Sequence, residues 1–345
     1  MNNFWVNKKV LITGHSGFKG MWLALVLKHF GANLTGLSIE AKGSRAFNTL
    51  ESKKYFDNEY FFDISDELKD NEVEIFSKNN FDIIFHFAAQ SLVSVAVKDP
   101  INTLKTNIIG TFRLINQCLK FGTTNALVVA TTDKVYLDSE NLNNEKSKLG
   151  GKEFYSASKV GQENVIESFK NFEDNKQLNI STVRSGNVLG PGDGAPDRIM
   201  TDLINSIEKN DDIVLRNPNS IRPWQDILDS IYGYLLVAEE NYKSKKSDVF
   251  NLNTEINSEV TTKEIAEKTI KEWGSKINIV QQNDKSYYEA SELRLDSTKA
   301  KNLLGWESKL NIDETIKKIV SWEKSKNLKE YEKNSTTQIE TYFNN

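Results

Sequence analysis

A single cysteine among 345 residues excludes any disulfide within the chain. Cys118, in "FRLINQCLKFG", falls in a helical pattern and reads as a small buried hydrophobe. Histidine is nearly as scarce. His15, His29 and His86 are scattered, with no spacing to Cys, Asp or Glu that resembles a metal site, so zinc and Ser-His-Asp chemistry have no residues to use. No apolar run approaches the roughly 20 residues of a membrane helix. The opening "MNNFWVNKKVLITG" lacks the apolar core of a signal peptide, so the chain reads as cytoplasmic, with no membrane partner. A basic excess is missing too: 44 Lys and Arg stand against 48 Asp and Glu, intermixed, for a net charge of -4. That balance offers no face for nucleic acid.

What is present is a 38% hydrophobic composition, long enough for one large α/β domain or two unequal ones. Short β-branched runs alternate with helical patterns: "KKVLITG", "MWLALVLKHFG", "NLTGLSI", "YFFDIS", "FDIIFHFAAQ", "ALVVATT", "SASKVGQENVIESFKNF" and "LNISTVRSG". This alternation predicts βαβ units and a doubly wound parallel (Rossmann) sheet, whose strands, buried on both faces, read as continuous apolar runs. Four of the five prolines (Pro191, Pro196, Pro218 and Pro223) then fall in one stretch, where a smaller substrate-binding unit is expected to begin. The predicted division is a dinucleotide-binding part over 1–185, rejoined by about 226–255 through the strand-like "DVFNLN", and a smaller part over 186–225 and 256–345. A capped helix is expected from Thr261 or Thr262, and the polar last dozen residues read as frayed.

Between the first strand and first helix, "VLITGHSGFKGMWL" places Gly14, Gly17 and Gly20. Glycines there allow a tight turn and let backbone N–H groups approach a pyrophosphate at the positive end of the helix. Small Ala88 and Ala89, in "HFAAQ", leave room at a later strand end. The second strand ends without the Asp that grips a ribose 2′-hydroxyl. Glu40 lies just beyond it, and Arg45 keeps a 2′-phosphate open; NAD is preferred over NADP. Asp63 is a natural cap for the following helix.

Tyr155 and Lys159, in "FYSASKVGQE", are four apart and so share one helical face. A nearby ammonium is expected to lower the phenol pKa and let it take a proton from a sugar hydroxyl. Upstream, "LVVATTDKVYL" runs from a buried strand into Thr131, Thr132, Asp133 and Lys134. A sugar dehydrogenase or 4-epimerase needs only the tyrosine and a hydroxyl such as Thr132. An adjacent acid and base answer to more. Oxidising C4 of a hexose makes H5 acidic; a base at H5 and an acid at the C6 hydroxyl then expel water. A solvated ion pair at the strand end is the plainer alternative.

The G-x-x-G-x-x-G spacing together with "TTDK", "YSASK", "HFAAQ", "SGNVLGPGD", "APDRIMTDLI", "LRNPNSIRPWQDILD" and "LRLDSTKAKNLLGW" resembles the nucleotide-sugar 4,6-dehydratases of the extended short-chain dehydrogenase/reductases, and within them the branch acting on CDP-glucose. The likeness spans Phe4 to about Trp322, and "RNPNSIRPWQ" is its most specific element. It implies a nucleotide-sugar substrate, an NAD cofactor and a homodimer or larger assembly paired through helices. For the cofactor it implies contacts from Gly14, His15, Gly17, Phe18, Lys19, Gly20, Asp63, Ile64, Phe87, Ala88, Ala89, Gln90, Asn107, Tyr155 and Lys159. By the same likeness Thr132 binds the C4 oxygen, Asp133 protonates the C6 hydroxyl and Lys134 holds the place of the base that takes H5. A lysine acts as base there only with a depressed pKa, which Lys159 and the nicotinamide are expected to provide; otherwise it stabilises the enolate by its charge. Asn187, Arg198, Arg216 and Arg222 are implied at the substrate, the arginines as forks on its diphosphate. A 4-epimerase, a UDP- or GDP-sugar dehydratase and a silent nucleotide-binding protein stay open. Departures fall in "LDSENLNNEKSKLGGKEF" and "KSYYEASELRLD".

Overall fold

The structure is a computed structural model that describes residues 2–39, 44–137, 142–171, 178–254, 259–281 and 294–344. Seven strands form one parallel sheet. Across it run Val249–Leu252, Asn179–Ser185, Ala126–Ala130, Ile83–His86, Lys9–Thr13, Asn33–Ser38 and Asn58–Phe61. Successive side chains point to opposite faces. Val10 and Ile12 therefore enter one hydrophobic layer and Leu11 the other, as Val128 does against Leu127 and Val129. Both faces are covered, which is why these strands read as unbroken apolar runs.

Helices Phe18–His29 and Ile227–Ser244 cover the first face, and Asp70–Ser77, Gly110–Phe121 and Phe154–Lys170 the second. A third apolar cluster gathers Leu203, Ile204, Leu215, Trp224, Ile265 and Ile319 away from the sheet. Its strands are short, as the prolines around them require: Ile221–Pro223 pairs antiparallel with Glu259–Thr261, and Ile213–Leu215 parallel with Ile279–Gln281. The capped helix forms over Thr262–Trp273, with Thr261 Oγ1 accepting from the Glu264 N–H at 3.1 Å. Ala300, Trp306, Trp322, Ile339 and Tyr342, from the segment expected in the smaller part, instead join the core on the first face of the sheet. No helix among the described residues is long and apolar enough to cross a membrane.

The expected fraying of the C-terminus does not occur. Leu328–Asn344 is a helix, with Phe343 edge-on to Phe30 at 5.0 Å and the Tyr342 hydroxyl donating to Asp229 Oδ1 at 2.6 Å. Asp63 also differs from expectation. The next helix begins at Asp70, and Asp63 Oδ1 instead closes a turn by accepting from Ser65 N at 2.8 Å and Ser65 Oγ at 2.7 Å.

Candidate active site

Thr13 is in register with Leu37 on one side and His86 on the other, so three strands end level. Strand order reverses here, and the diverging connections leave a crevice at the carboxyl edge of the sheet. It deepens into a cavity of about 720 Å³ whose wall includes Gly14, Phe87, Thr132, Tyr155, Asn187 and Arg222.

The glycine turn fits close backbone packing. Gly14 has φ 75°, and a Cβ there would come to 2.6 Å from Ala88 N; one on Gly20 would come to 2.2 Å from Gly14 O. Gly17, Phe18, Lys19, Asp63, Ile64, Ala88, Ala89 and Gln90 also face the cavity. At the acid-free end of the second strand, Ser38 Oγ bonds Ser16 Oγ at 2.6 Å. Arg45 is committed elsewhere, to Glu208 at 2.6 Å and Glu323 at 3.1 Å, which removes it as a 2′-phosphate partner; Glu40 lies outside the described residues. Two expected contacts sit behind the wall. His15 is fully buried among Phe47, Phe56 and Phe61, with Nε2 3.1 Å from Glu59 Oε1, and burial lowers its pKa. Asn107, in a π-helical turn over Lys105–Ile109, spends its amide on the Gln90 backbone at 2.8 and 2.9 Å and on Ser158 Oγ at 2.8 Å. It shapes the loop that carries Gln90.

Helix Phe154–Lys170 starts where Glu153 accepts from the N–H groups of Tyr155 and Ser156, at 2.6 and 2.7 Å, and this box aims Tyr155 into the cavity. The expected lowering of the tyrosine pKa is not found. Burial pushes the phenol up to about 12, partly opposed by its hydrogen bond with Thr132 and by Arg198. The ammonium of Lys159 turns instead to Ala130 O at 3.1 Å and Gln162 Oε1 at 2.9 Å, while burial and the Lys19 charge bring its pKa down to about 7. From there a buried chain runs through Gln162 Nε2 to Thr111 Oγ1 at 2.7 Å, His86 Nε2 at 2.9 Å, and His86 Nδ1 to Thr13 Oγ1 at 2.7 Å. No local pattern points to Gln162 or Thr111, whose roles exist only across elements.

Beyond Ala130 the fifth strand turns into a single 3-10 turn, Asp133–Val135, capped by Thr132. Thr132 Oγ1 donates to Asp133 Oδ1 at 2.9 Å, and Lys134 Nζ donates to the same oxygen at 3.2 Å and to Asn187 Oδ1 at 3.5 Å. Thr132, Asp133 and Lys134 thus form one hydrogen-bonded series, and Tyr155 faces the same cavity as Thr132 and Lys134. Lys134 meets Asp133 and Asn187 rather than Lys159, contrary to expectation. Asp133 is no solvated partner: its side chain is 1% exposed against 25% for Lys134. Its Oδ2 is buried with no hydrogen-bond partner among the described residues, beside Gly186. Behind the turn, Arg184 grips Glu163 with two bonds of 2.9 Å; Glu163 accepts from Thr131 Oγ1 at 2.7 Å, and Arg184 reaches the Tyr136 hydroxyl at 2.9 Å. This buried pair holds both ends of the segment.

The three arginines line the other side of the cavity. Arg222 is 5% exposed and Arg198 Nε is buried with no hydrogen-bond partner among the described residues. Arg216 pairs with Asp197 at 2.7 Å, and Asp197, at φ 58°, also accepts from Ser94 Oγ at 2.7 Å. Of the two divergent loops, 138–141 and 285–293 lie outside the described residues.

A family profile described as GDP-mannose 4,6 dehydratase matches residues 11–319. The chain is 35% identical to a CDP-glucose 4,6-dehydratase of Salmonella typhimurium, over 94% of this chain and 92% of that protein. It is 25% identical to a dTDP-glucose 4,6-dehydratase of Haemophilus influenzae, over 91% and 97%. Among solved structures, MoeE5 in complex with UDP-glucose and NAD superposes with a TM-score of 0.79 at 22% identity, covering 91% of this chain and 98% of that one. The fold, the span of the profile and the similarity to a dehydratase over nearly the whole length together make this chain a member of the nucleotide-sugar 4,6-dehydratase family of the extended short-chain dehydrogenase/reductases.

Proposed function

We propose that the protein is a cytoplasmic NAD-dependent hydro-lyase that converts CDP-D-glucose to CDP-4-keto-6-deoxy-D-glucose. The observation that carries this reading is the hydrogen-bonded series Thr132, Asp133, Lys134, with Thr132, Lys134 and Tyr155 on the cavity wall and Asp133 sealed behind them. An epimerase has no use for its last two members. The Cβ-free glycine turn, with Asp63, Ile64 and the small Ala88 and Ala89 opposite, fits a dinucleotide. Bound in that turn, NAD would supply reversible hydride acceptance, which would make the overall dehydration redox-neutral.

The protein's own groups do the rest. Tyr155 accepts the proton of the C4 hydroxyl, with Thr132 holding the oxygen as it becomes a ketone. Burial holds the tyrosine pKa high, and the positive charge of a bound nicotinamide would lower it. Lys134 removes the acidified H5, and Asp133 delivers a proton to the departing C6 hydroxyl. The two groups are already in contact, Lys134 Nζ donating to Asp133 Oδ1 at 3.2 Å, so both address the same C5–C6 bond. Arg198, Arg222 and Arg216 hold the diphosphate and Asn187 the adjoining hydroxyls. CDP-glucose deuterated at C4 tests the reading: a 4-keto-6-deoxy product labelled at C6 is expected. A C4 epimer would make the protein an epimerase, and unchanged substrate would exclude CDP-glucose.

The reading includes a homodimer. Ile101 at 79% exposure, Leu104, Ile109 and Phe112 follow one another along the helical stretch over Pro100–Phe121, with Phe154 exposed at the start of the next helix. Such an apolar run on a surface favours a partner, here a second copy.

A further inference from the structure

Asp202 lines the cavity among the charges of Asp197, Arg216 and Asp193. Arg198 caps helix Ile199–Lys209, and its carbonyl accepts from the Asp202 N–H at 2.9 Å. Asp202 is thus one turn further along the same face, about 6 Å from Arg198 along the axis. With the hexose at Tyr155 and the diphosphate on the arginines, the nucleoside is left the stretch of wall that holds Asp202 and Asn217.

We propose that Asp202 selects a cytosine base by accepting the hydrogen bond of its 4-amino group. The assignment rests on the nucleotide-sugar reading above and deepens it. Asp202 is half-buried, lines the cavity, and accepts no side-chain hydrogen bond among the described residues. A carboxylate is an acceptor only. Cytosine presents an amine at C4 and matches it; uracil and thymine present a carbonyl oxygen there, and two acceptors repel. Burial and neighbouring Asp197 push the carboxyl up to about 6, the mark of an acid short of donors.

Binding of CDP, UDP, dTDP and GDP to the cofactor-loaded enzyme, measured by calorimetry, tests this without turnover. Wild-type protein is expected to favour CDP over UDP by about tenfold or more. In Asp202→Asn the amide can donate to O4, so UDP gains as CDP weakens and the ratio collapses; Asp202→Leu loses CDP without gaining UDP. For CDP-glucose, KM rises in both variants while kcat changes little. An unchanged CDP to UDP ratio in Asp202→Asn, with the melting temperature kept, overturns the proposal, as does tighter GDP binding by the wild type. Failure of the isotope test with intact CDP selectivity would sink the dehydratase reading alone, and a protein that binds none of the four sinks both.

Discussion

Asp133 and Lys134 are neighbours in the chain, yet their environments differ sharply, one side chain sealed and the other reaching the cavity. That contrast leaves Lys134 to meet substrate directly and seats Asp133 behind it. Lys134→Met is expected to leave C4 oxidation intact while H5 stops exchanging with solvent, with turnover down about 10²- to 10⁴-fold. Normal exchange in deuterated water would remove Lys134 from the role of base. Gly186 guards the same acid: a Cβ there stands 3.2 Å from Asp133 Oδ2 and 3.5 Å from Pro223 Cγ. Gly186→Ala should cost about ten- to a hundredfold in kcat through displacement of Asp133, with little change in melting temperature. Lys159 gives a pH signature. Its pKa is about 7 in the fold against 10.5 for the free side chain, so between those values the unfolded chain holds a proton the fold has lost. Stability therefore rises with pH across that window. Melting temperatures of wild type and Lys159→Met, followed from pH 6 to pH 10 (about the span of the two pKa values), should shift steadily in favour of the wild type. The spacing of Tyr155 and Lys159 was legible in the sequence. The direction of the tyrosine pKa was not, because burial decides it and the lysine turns to Ala130 and Gln162.

At the scale of elements, the glycine turn, the strand ends and the capped helix after Thr261 follow from local rules: where Cβ atoms fit, and where side chains cap backbone N–H groups. The C-terminal helix shows where a reading by composition fails. Leu328–Asn344 is polar on average, but Ser335, Gln338, Ile339 and Tyr342 recur at helical spacing, and all four are buried. Tyr342 also reaches Asp229, whose carboxylate is held by the N–H groups of Lys309 at 2.8 Å and Leu310 at 3.3 Å. Tyr342→Phe should lower stability by about 1–2 kcal/mol in denaturant titration, since Asp229 loses a buried donor. Activity well below the melting temperature should be unchanged, because Tyr342 is remote from the cavity wall.

For the whole molecule, the apolar run from Ile101 to Phe112 bears on assembly. Phe112→Asp should convert the expected dimer to monomer in analytical ultracentrifugation; a monomeric wild type at micromolar concentration would remove the second copy from the proposal. By itself the amino-acid sequence determined the parallel sheet, the glycine turn and the Tyr155 and Lys159 spacing, because periodicity, steric freedom and helical stacking act over a few residues. Only the tertiary structure decided that Thr132 and Lys134 both bond Asp133 beside a cavity that Tyr155 also lines, that His15 and Asn107 support the site from behind, and that Arg45 is spent on Glu208 and Glu323. Those outcomes depend on burial and on partners far away in the chain, which local patterns do not encode.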